Sequence, residues 1–281
     1  GPLLAADGEH KRITVLFIDA FGSIGLDDRL DAEQWHEIME SFFSVISTAV
    51  QHYGGTIDRL TGEGIKILFG APAALERHAT HACHAALHIR DRLREFAEAF
   101  RTQADVDLAA RMGINSGEVV FGRVGATGNV SFTSQGHTAA LAARMQQLAE
   151  PGSIYLTEDT AALVADYFEL RELGELQMRN ANRRMRAFEL VAAREDRSRL
   201  DVARDRGLSP FLGRDAELAT LERHLETIGR GETRVIGIVG EPGIGKSRLV
   251  EEFLARQAGN GYWTQVTRCS EHARWIPFHA S

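Results

Sequence analysis

The sequence of 281 residues predicts an α+β fold over its first two thirds, followed by the opening of a second unit of α/β type. Three observations predict it. Apolar periods of two and of 3.6 follow one another as strand, helix, hairpin, helix, hairpin, helix, strand, short helix, hairpin, which is not a repeating βαβ array. A charge-dense stretch poor in large apolar residues interrupts that pattern at 192–209. A glycine-rich loop then stands at 240–247 between an apolar run and a helix-forming run.

The elements follow in order. Residues 13–18 are β-branched and apolar, and read as a buried strand running into Asp19-Ala20-Phe21-Gly22-Ser23. Asp31 is a helix N-cap, with Gln34 three residues on as in a capping box. Trp35, Ile38, Met39, Phe42, Phe43, Ile46 and Val50 then recur at helical spacing, and Gly54-Gly55 stops that helix. Residues 56–60 and 65–69 flank Thr61-Gly62-Glu63-Gly64, a hairpin with a glycine-rich turn. A long helix is predicted over 74–100. Strands at 107–114 and 118–124 are predicted to turn at Asn115-Ser116-Gly117. A helix over 137–149, a strand at 153–156, a short helix at 158–165 and a hairpin of 168–176 with 186–191 complete a sheet expected to carry its helices on one face.

Composition bounds the function. Apolar residues are 44% and charged residues 25%, as in ordinary globular proteins. A net charge of −7 argues against nucleic acid as a partner, because phosphate neutralisation needs clustered Lys and Arg. Cys83 and Cys269 form no disulfide framework, so a reduced, cytoplasmic setting is expected. No apolar run approaches the length of a membrane span, and the N-terminus lacks the basic start of a signal peptide, so no membrane partner is expected.

The loop Gly240-Glu241-Pro242-Gly243-Ile244-Gly245-Lys246-Ser247 is GxxxxGKS, with a predicted strand at 234–239 before it and a helix after it. Its glycines, Gly240 and Gly245 among them, let backbone N–H groups face a phosphate chain. Lys246 would reach the outer phosphates and Ser247 would bind Mg²⁺. The upstream Phe211-Leu212-Gly213-Arg214-Asp215-Ala216-Glu217-Leu218 looks like the opening of AAA-related signal-transduction NTPases. A second strand is predicted at 262–266, with no apolar strand ending in Asp before Ser281. The domain therefore reads as begun and not completed, unable to hydrolyse nucleotide.

Further motifs carry a family. Phe17-Ile18-Asp19-Ala20-Phe21-Gly22-Ser23, Leu60-Thr61-Gly62-Glu63-Gly64, Phe69-Gly70-Ala71-Pro72, the run from Arg111 to Val119, and Leu141-Ala142-Ala143-Arg144-Met145 resemble class III nucleotidyl cyclases. The resemblance spans residues 11–192, with 193–209 as a charged linker and 210–281 as the P-loop segment. The fusion is similar to bacterial cyclase–NTPase regulators and to soluble adenylyl cyclases.

The resemblance implies a ferredoxin-like α+β domain that works as a homodimer, with active sites between two cyclase domains. It implies ATP as substrate and two Mg²⁺ or Mn²⁺ ions per site. Asp19 matches the first metal carboxylate and Glu63 the second, where the family has Asp. Glu63 keeps the charge but is longer, and also reads as a hairpin-tip carboxylate in water. Arg59 and Thr133 match the base-reading positions, Arg59 replacing a Lys that it does not reproduce. The loop of Phe21, Gly22 and Ser23 would offer N–H groups to phosphate, and Arg179 matches a phosphate-contacting Lys. Arg144 matches the transition-state Arg. Ala140 stands where the family has an Asn, and has no side-chain donor.

Two functions follow. One is an adenylyl cyclase of low activity, making cAMP and pyrophosphate in intracellular signalling. The other is a pseudo-cyclase that dimerises or binds nucleotide to regulate the attached NTPase. His81, His84 and His88 share one face of the second helix within about 60°. A metal or pH-sensing face is conceivable there, but the stripe is read as solvated helix surface, because no carboxylate or thiol joins it.

Overall fold

The computed structural model describes residues 9–21, 32–61, 64–104, 109–121, 123–124, 131–132, 137–177, 184–194, 201–202, 207, 209–241 and 243–267. The chain divides into two compact units, Gly1–Arg194 and Glu195–Ser281.

The first unit is built on a seven-stranded sheet. Its strands are β1 (Glu9–Phe21), β2 (Thr56–Thr61), β3 (Gly64–Phe69), β4 (Ala109–Phe121), β7 (Ile154–Thr157), β8 (Phe168–Gln177) and β9 (Arg184–Ala193), in the order β2-β3-β1-β4-β7-β9-β8. Short β5 (Arg123–Val124) and β6 (Ser131–Phe132) pair separately. Every neighbour pair in the main sheet is antiparallel except β4 with β7. The helices are α1 (Ala32–His52), α2 (His78–Ala104), α3 (His137–Leu148) and α4 (Glu158–Val164).

Strand alternation sorts the core onto two faces. Leu16 and Ile18 of β1, Ile65 and Ile67 of β3, and Met112 and Ile114 of β4 join Ile38, Phe42 and Ile46 of α1 and Ala82, Ala86 and Ile89 of α2 in one cluster. Ile13, Val15, Leu68 and Val119 point the other way and pack with Ala142 of α3. Met145 of α3 and Ala149, just beyond its end, continue that second layer against Tyr155 and Ala187. So α3 lies on the opposite face from α1 and α2, and the expectation of helices on one face is corrected. Periodicity reports which residues of a helix are buried, not which side of a sheet receives them.

A second correction concerns Asn115-Ser116-Gly117. The two predicted strands and their turn are one continuous strand, β4, with Val15 opposite Asn115, Thr14 opposite Ser116 and Ile13 opposite Gly117. The three residues have turn chemistry because they meet polar and close-packed neighbours inside the fold. Asn115 is 1% exposed; its Nδ2 donates to the Thr138 carbonyl at 2.9 Å and its Oδ1 accepts from Thr157 Oγ1 at 2.6 Å. The Ser116 hydroxyl lies 2.7 Å from Thr14 Oγ1 and accepts from Thr160 at 3.1 Å. Gly117 faces α3, where a Cβ would stand 2.7 Å from Thr138 Oγ1.

The histidine stripe is also corrected. Tyr53, at the end of α1, stacks on His84 with centroids 6.1 Å apart and meets His88 edge-on at 5.9 Å. His81 Nδ1 lies 3.1 Å from the Tyr53 carbonyl, and His84 packs on Phe168 of β8 at 4.7 Å. His81 and His84 are half-buried between α1, α2 and β8, and only His88 is exposed. Among the described residues, no group of three or more His, Cys, Asp or Glu side chains is arranged to hold a metal ion.

In the second unit, α5 (Asp215–Ile228) and α6 (Lys246–Gln257) pack through Leu218, Leu221 and Leu249, with Phe211, Ile238 and Phe253 against them. The strands expected at 234–239 and 262–266 are not formed among the described residues, and Val235 and Val239 are 95% and 96% exposed. A strand exists only when a neighbour takes its backbone N–H and C=O groups, and no described segment does so here.

Candidate active site

Asp19 sits near the C-terminal end of β1, with Gly64 of β3 and Arg111 of β4 as its register partners. The alternation that buries Ile18 under α1 and α2 turns Asp19 to the α3 face. There its Oδ2 accepts from Arg111 Nη2 at 2.9 Å and from Gln146 Nε2 at 3.2 Å. Asp19 and Arg111 side chains are 28% and 27% exposed, so the pair is partly shielded from water. Gln146 lies on α3 and is buried. Three elements thus converge on one carboxylate oxygen, while Oδ1 makes no hydrogen bond among the described residues.

The approach of α3 depends on Gly113. It is the register partner of Phe17, and a Cβ placed on it would stand 2.0 Å from the Gln146 nitrogen and 2.3 Å from the Ala142 carbonyl oxygen. No side chain fits between strand and helix there. Arg144 is carried on the same helix. Its Nη1 donates to Gln147 at 3.3 Å, and its Nε is buried without a hydrogen bond among the described residues. Ala140, one turn earlier, is exposed.

The β2–β3 hairpin brings its tip to the same end of the sheet. Thr61 pairs with Gly64, and Gly64 with Asp19. Arg59 is opposite Lys66, which is opposite Phe17, so Arg59 occupies the second cross-strand row from that of Asp19, with the row of Ile18, Ile65 and Leu60 between them. A register shift between Ile57 and Arg59 leaves Asp58 in a bulge, and Asp58 pairs with Lys66 at 2.7 Å with both side chains almost buried. That ion pair braces the hairpin on which Arg59 stands.

The structure therefore brings Asp19 together with Arg111 and Gln146, neither of which the sequence singled out as a site residue. The signal for Arg111 was its spacing of two and four from Gly113 and Asn115, one strand face repeated three times. Gln146 left no such signal, since its role depends on where α3 docks. Phe21 closes β1. Gly22, Ser23, Glu63, Thr133 and Arg179 lie outside the described residues, as does Asp31.

In the second unit the glycine-rich loop turns through Gly243 at φ 80° and Gly245 at φ 97°, left-handed values that favour glycine, and α6 begins at Lys246. Lys246 Nζ donates to the carbonyls of Gly240 and Glu241, both at 2.8 Å. Ser247 follows in the first turn of α6. Arg214 Nη2 donates to the Ile244 carbonyl at 3.1 Å, so the Phe-Leu-Gly-Arg segment braces the loop.

A divalent cation fits Asp19 in one respect that can be read directly. One hard oxygen of a part-exposed carboxylate is left to a cation, a donor suited to Mg²⁺ or Mn²⁺. The other oxygen is held by a guanidinium and an amide.

This sheet, with α1 and α2 on one face and a strand-end carboxylate on the other, is the fold of class III nucleotidyl cyclases. Residues 6–192 match the family model of the adenylate and guanylate cyclase catalytic domain, and the chain belongs to that family. Residues 210–281 match the AAA ATPase domain model. Adenylate cyclase 1 of Rhizobium meliloti is 27% identical over 184 residues, covering 65% of this chain and 28% of that protein. An uncharacterized protein of the same organism is 26% identical over 249 residues, covering 89% of this chain and 24% of the relative. The chain thus spans about a quarter of the length of these relatives. Among solved structures, the adenylyl cyclase CyaB from P. aeruginosa aligns with a TM-score of 0.63 at 27% identity, covering 68% of this chain and 98% of that one. The guanylyl cyclase Cya2 aligns with a TM-score of 0.62 at 25% identity, covering 68% and 96%. No helix among the described residues is long and apolar enough to cross a membrane.

Proposed function

We propose that the first unit is an adenylyl cyclase of low activity, converting ATP to cAMP and pyrophosphate in the cytoplasm as a homodimer. The observation that carries this reading is Asp19, a part-exposed carboxylate at a strand end on the face shared with Arg144's helix. In the reaction, the 3′-hydroxyl of ATP attacks the α-phosphorus, the bond to the β-phosphate oxygen breaks, and pyrophosphate leaves. Asp19 and Glu63 would hold two Mg²⁺ or Mn²⁺ ions, which supply charge neutralisation and lower the pKa of the attacking hydroxyl. Backbone N–H groups at Phe21, Gly22 and Ser23 would hold phosphate oxygens, with Arg179 adding charge. Arg59 and Thr133 would contact the base. Thr133 would accept from an exocyclic amine, which is the feature that favours adenine in this reading. Arg144 would donate to the crowded α-phosphate as charge builds on it. Ala140 supplies nothing there, which is why the activity is low. Dimerisation belongs to the same reading, because family sites form between two cyclase domains.

The second reading is a pseudo-cyclase that dimerises or binds nucleotide to regulate the attached NTPase. Ala140 favours it, being an exposed methyl on α3 one turn from Arg144. Measuring cAMP from ATP with Mn²⁺, then Mg²⁺, over a range of protein concentrations decides between the two. Product that rises more than linearly with protein and disappears in Asp19→Ala supports the cyclase. Folded protein that makes no more product than Asp19→Ala supports the pseudo-cyclase.

A further inference from the structure

A metal carboxylate needs one oxygen for its ion; in this chain the other oxygen is taken twice. Arg111 Nη2 and Gln146 Nε2 both donate to Asp19 Oδ2, at 2.9 and 3.2 Å. We propose that Arg111 and Gln146 clamp Oδ2 so that Asp19 binds a divalent cation through Oδ1 alone, and that together they set the affinity for that cation. This rests on the reading of Asp19 as a metal carboxylate. Both act through Asp19 and are positioning residues.

The two donors have opposite effects. Arg111 stands directly across from Asp19 on β4, so its position is set by strand register and not by a loop. Its charge-assisted bond holds the carboxylate when no cation is bound. The same guanidinium repels an incoming divalent ion in a partly shielded site, where screening is weaker than in bulk water. Arg111 therefore lowers cation affinity. Gln146 carries no charge. It is 8% exposed, and burying its amide costs free energy that the bond to Asp19 offsets. Its backbone is fixed twice, by the absence of a Cβ at Gly113 and by its neighbour Met145, packed against Ala149, Tyr155 and Ala187. An amide held this firmly orients the carboxylate, as outer partners of metal ligands do. Gln146 therefore raises cation affinity.

The sign separates this proposal from a merely structural role. A disruptive change at either residue weakens cation binding, whereas removing the Arg111 charge strengthens it. The test is Mn²⁺ binding to the full 281-residue chain, followed by calorimetry and by the electron paramagnetic resonance of free Mn²⁺. It is run with saturating 3′-deoxy-ATP, which lacks the attacking hydroxyl, and Asp19→Ala gives the baseline. Arg111→Gln is expected to tighten the Asp19-dependent site about tenfold. Arg111→Lys, which keeps the charge, is expected to stay within about threefold of the parent. Gln146→Met is expected to weaken the site about tenfold. Circular dichroism checks folding. If Arg111→Gln does not fold, Arg111→Met takes its place; if neither folds, Gln146→Met decides. Asp19-dependent binding that weakens or stays constant in Arg111→Gln, or stays constant in Gln146→Met, overturns the clamp and leaves the cyclase reading standing. No Asp19-dependent binding in the parent overturns the cyclase reading, and the clamp with it.

Discussion

A Cβ on Gly113 of β4 would stand 2.0 Å from the backbone nitrogen of Gln146 on α3, so strand and helix touch where glycine alone fits. That contact sets the depth at which α3 docks. Through α3 it sets the positions of Gln146 and Arg144. Gly113→Ala must push the helix off the sheet or strain the strand, and such overpacking costs about 1–3 kcal/mol. We expect an unfolding free energy lower by that amount, seen as a lower urea midpoint at unchanged slope, together with loss of Asp19-dependent Mn²⁺ binding. An unchanged midpoint would show that α3 does not rest on Gly113.

Asn115 gives a second prediction from the same strand. Its side chain joins the Thr138 carbonyl on α3 to the Thr157 hydroxyl at the end of β7. Asn115→Leu leaves both groups without this partner inside the fold, at a cost of about 2–4 kcal/mol. Denaturant unfolding measures it, and Val120→Thr, on an exposed position of β4, serves as a control expected to stay within about 0.5 kcal/mol.

These two residues also show what the sequence could convey. Strand β1, helix α1 and the β2–β3 hairpin were legible because their apolar periods are uninterrupted and their ends carry turn residues. The class of the family was legible from Asp19, the Gly-Glu-Gly turn and Arg144. Asn115-Ser116-Gly117 misled, because side chains that satisfy a turn can equally satisfy a buried polar chain, and only the partners Thr14, Thr138, Thr157 and Thr160 distinguish the two. Arg111 and Gln146 were hidden for a related reason. Their contact with Asp19 joins positions 92 and 127 residues away, through a register and a docking depth that no local pattern encodes. The strand at 234–239 had the right composition but forms no strand without a neighbour among the described residues.

The histidines predict a pH dependence. His78, whose Nδ1 lies 2.7 Å from Thr14 Oγ1, has its pKa lowered from the ordinary 6.5 by burial first, then by Arg12 and His81. His88, whose ring is partly covered although its side chain reaches solvent, is lowered first by that partial burial, then by His52 and Arg92, with Asp91 and Glu95 acting the other way. The folded chain resists a proton that the unfolded chain accepts. Stability is therefore fully present above the unfolded value near 6.5 and is lost as pH falls below it through the lowered folded values. Urea midpoints at about pH 7.5 and about pH 5.5 should differ in that direction. His78→Gln should reduce the difference, and an equal pH slope in that variant would remove His78 from the account.

Ala140 carries the prediction that bears most directly on function. It precedes Arg144 by four residues on α3, so the two share a helix face. Ala140 is exposed, so a larger polar side chain can enter without displacing the core. Under the cyclase reading, Ala140→Asn adds a donor aimed at charge that builds only as the 3′-hydroxyl attacks. Such a donor acts on kcat and leaves the KM for ATP nearly unchanged. Loss of one donor of this kind costs about 10²–10³ in rate, which bounds the gain from restoring it. Measured cAMP turnover should rise toward that range, and Asp19→Ala in the same background should remove it. If kcat does not move although Mn²⁺ and nucleotide still bind, the missing donor is not what limits this domain, and the pseudo-cyclase reading gains the weight.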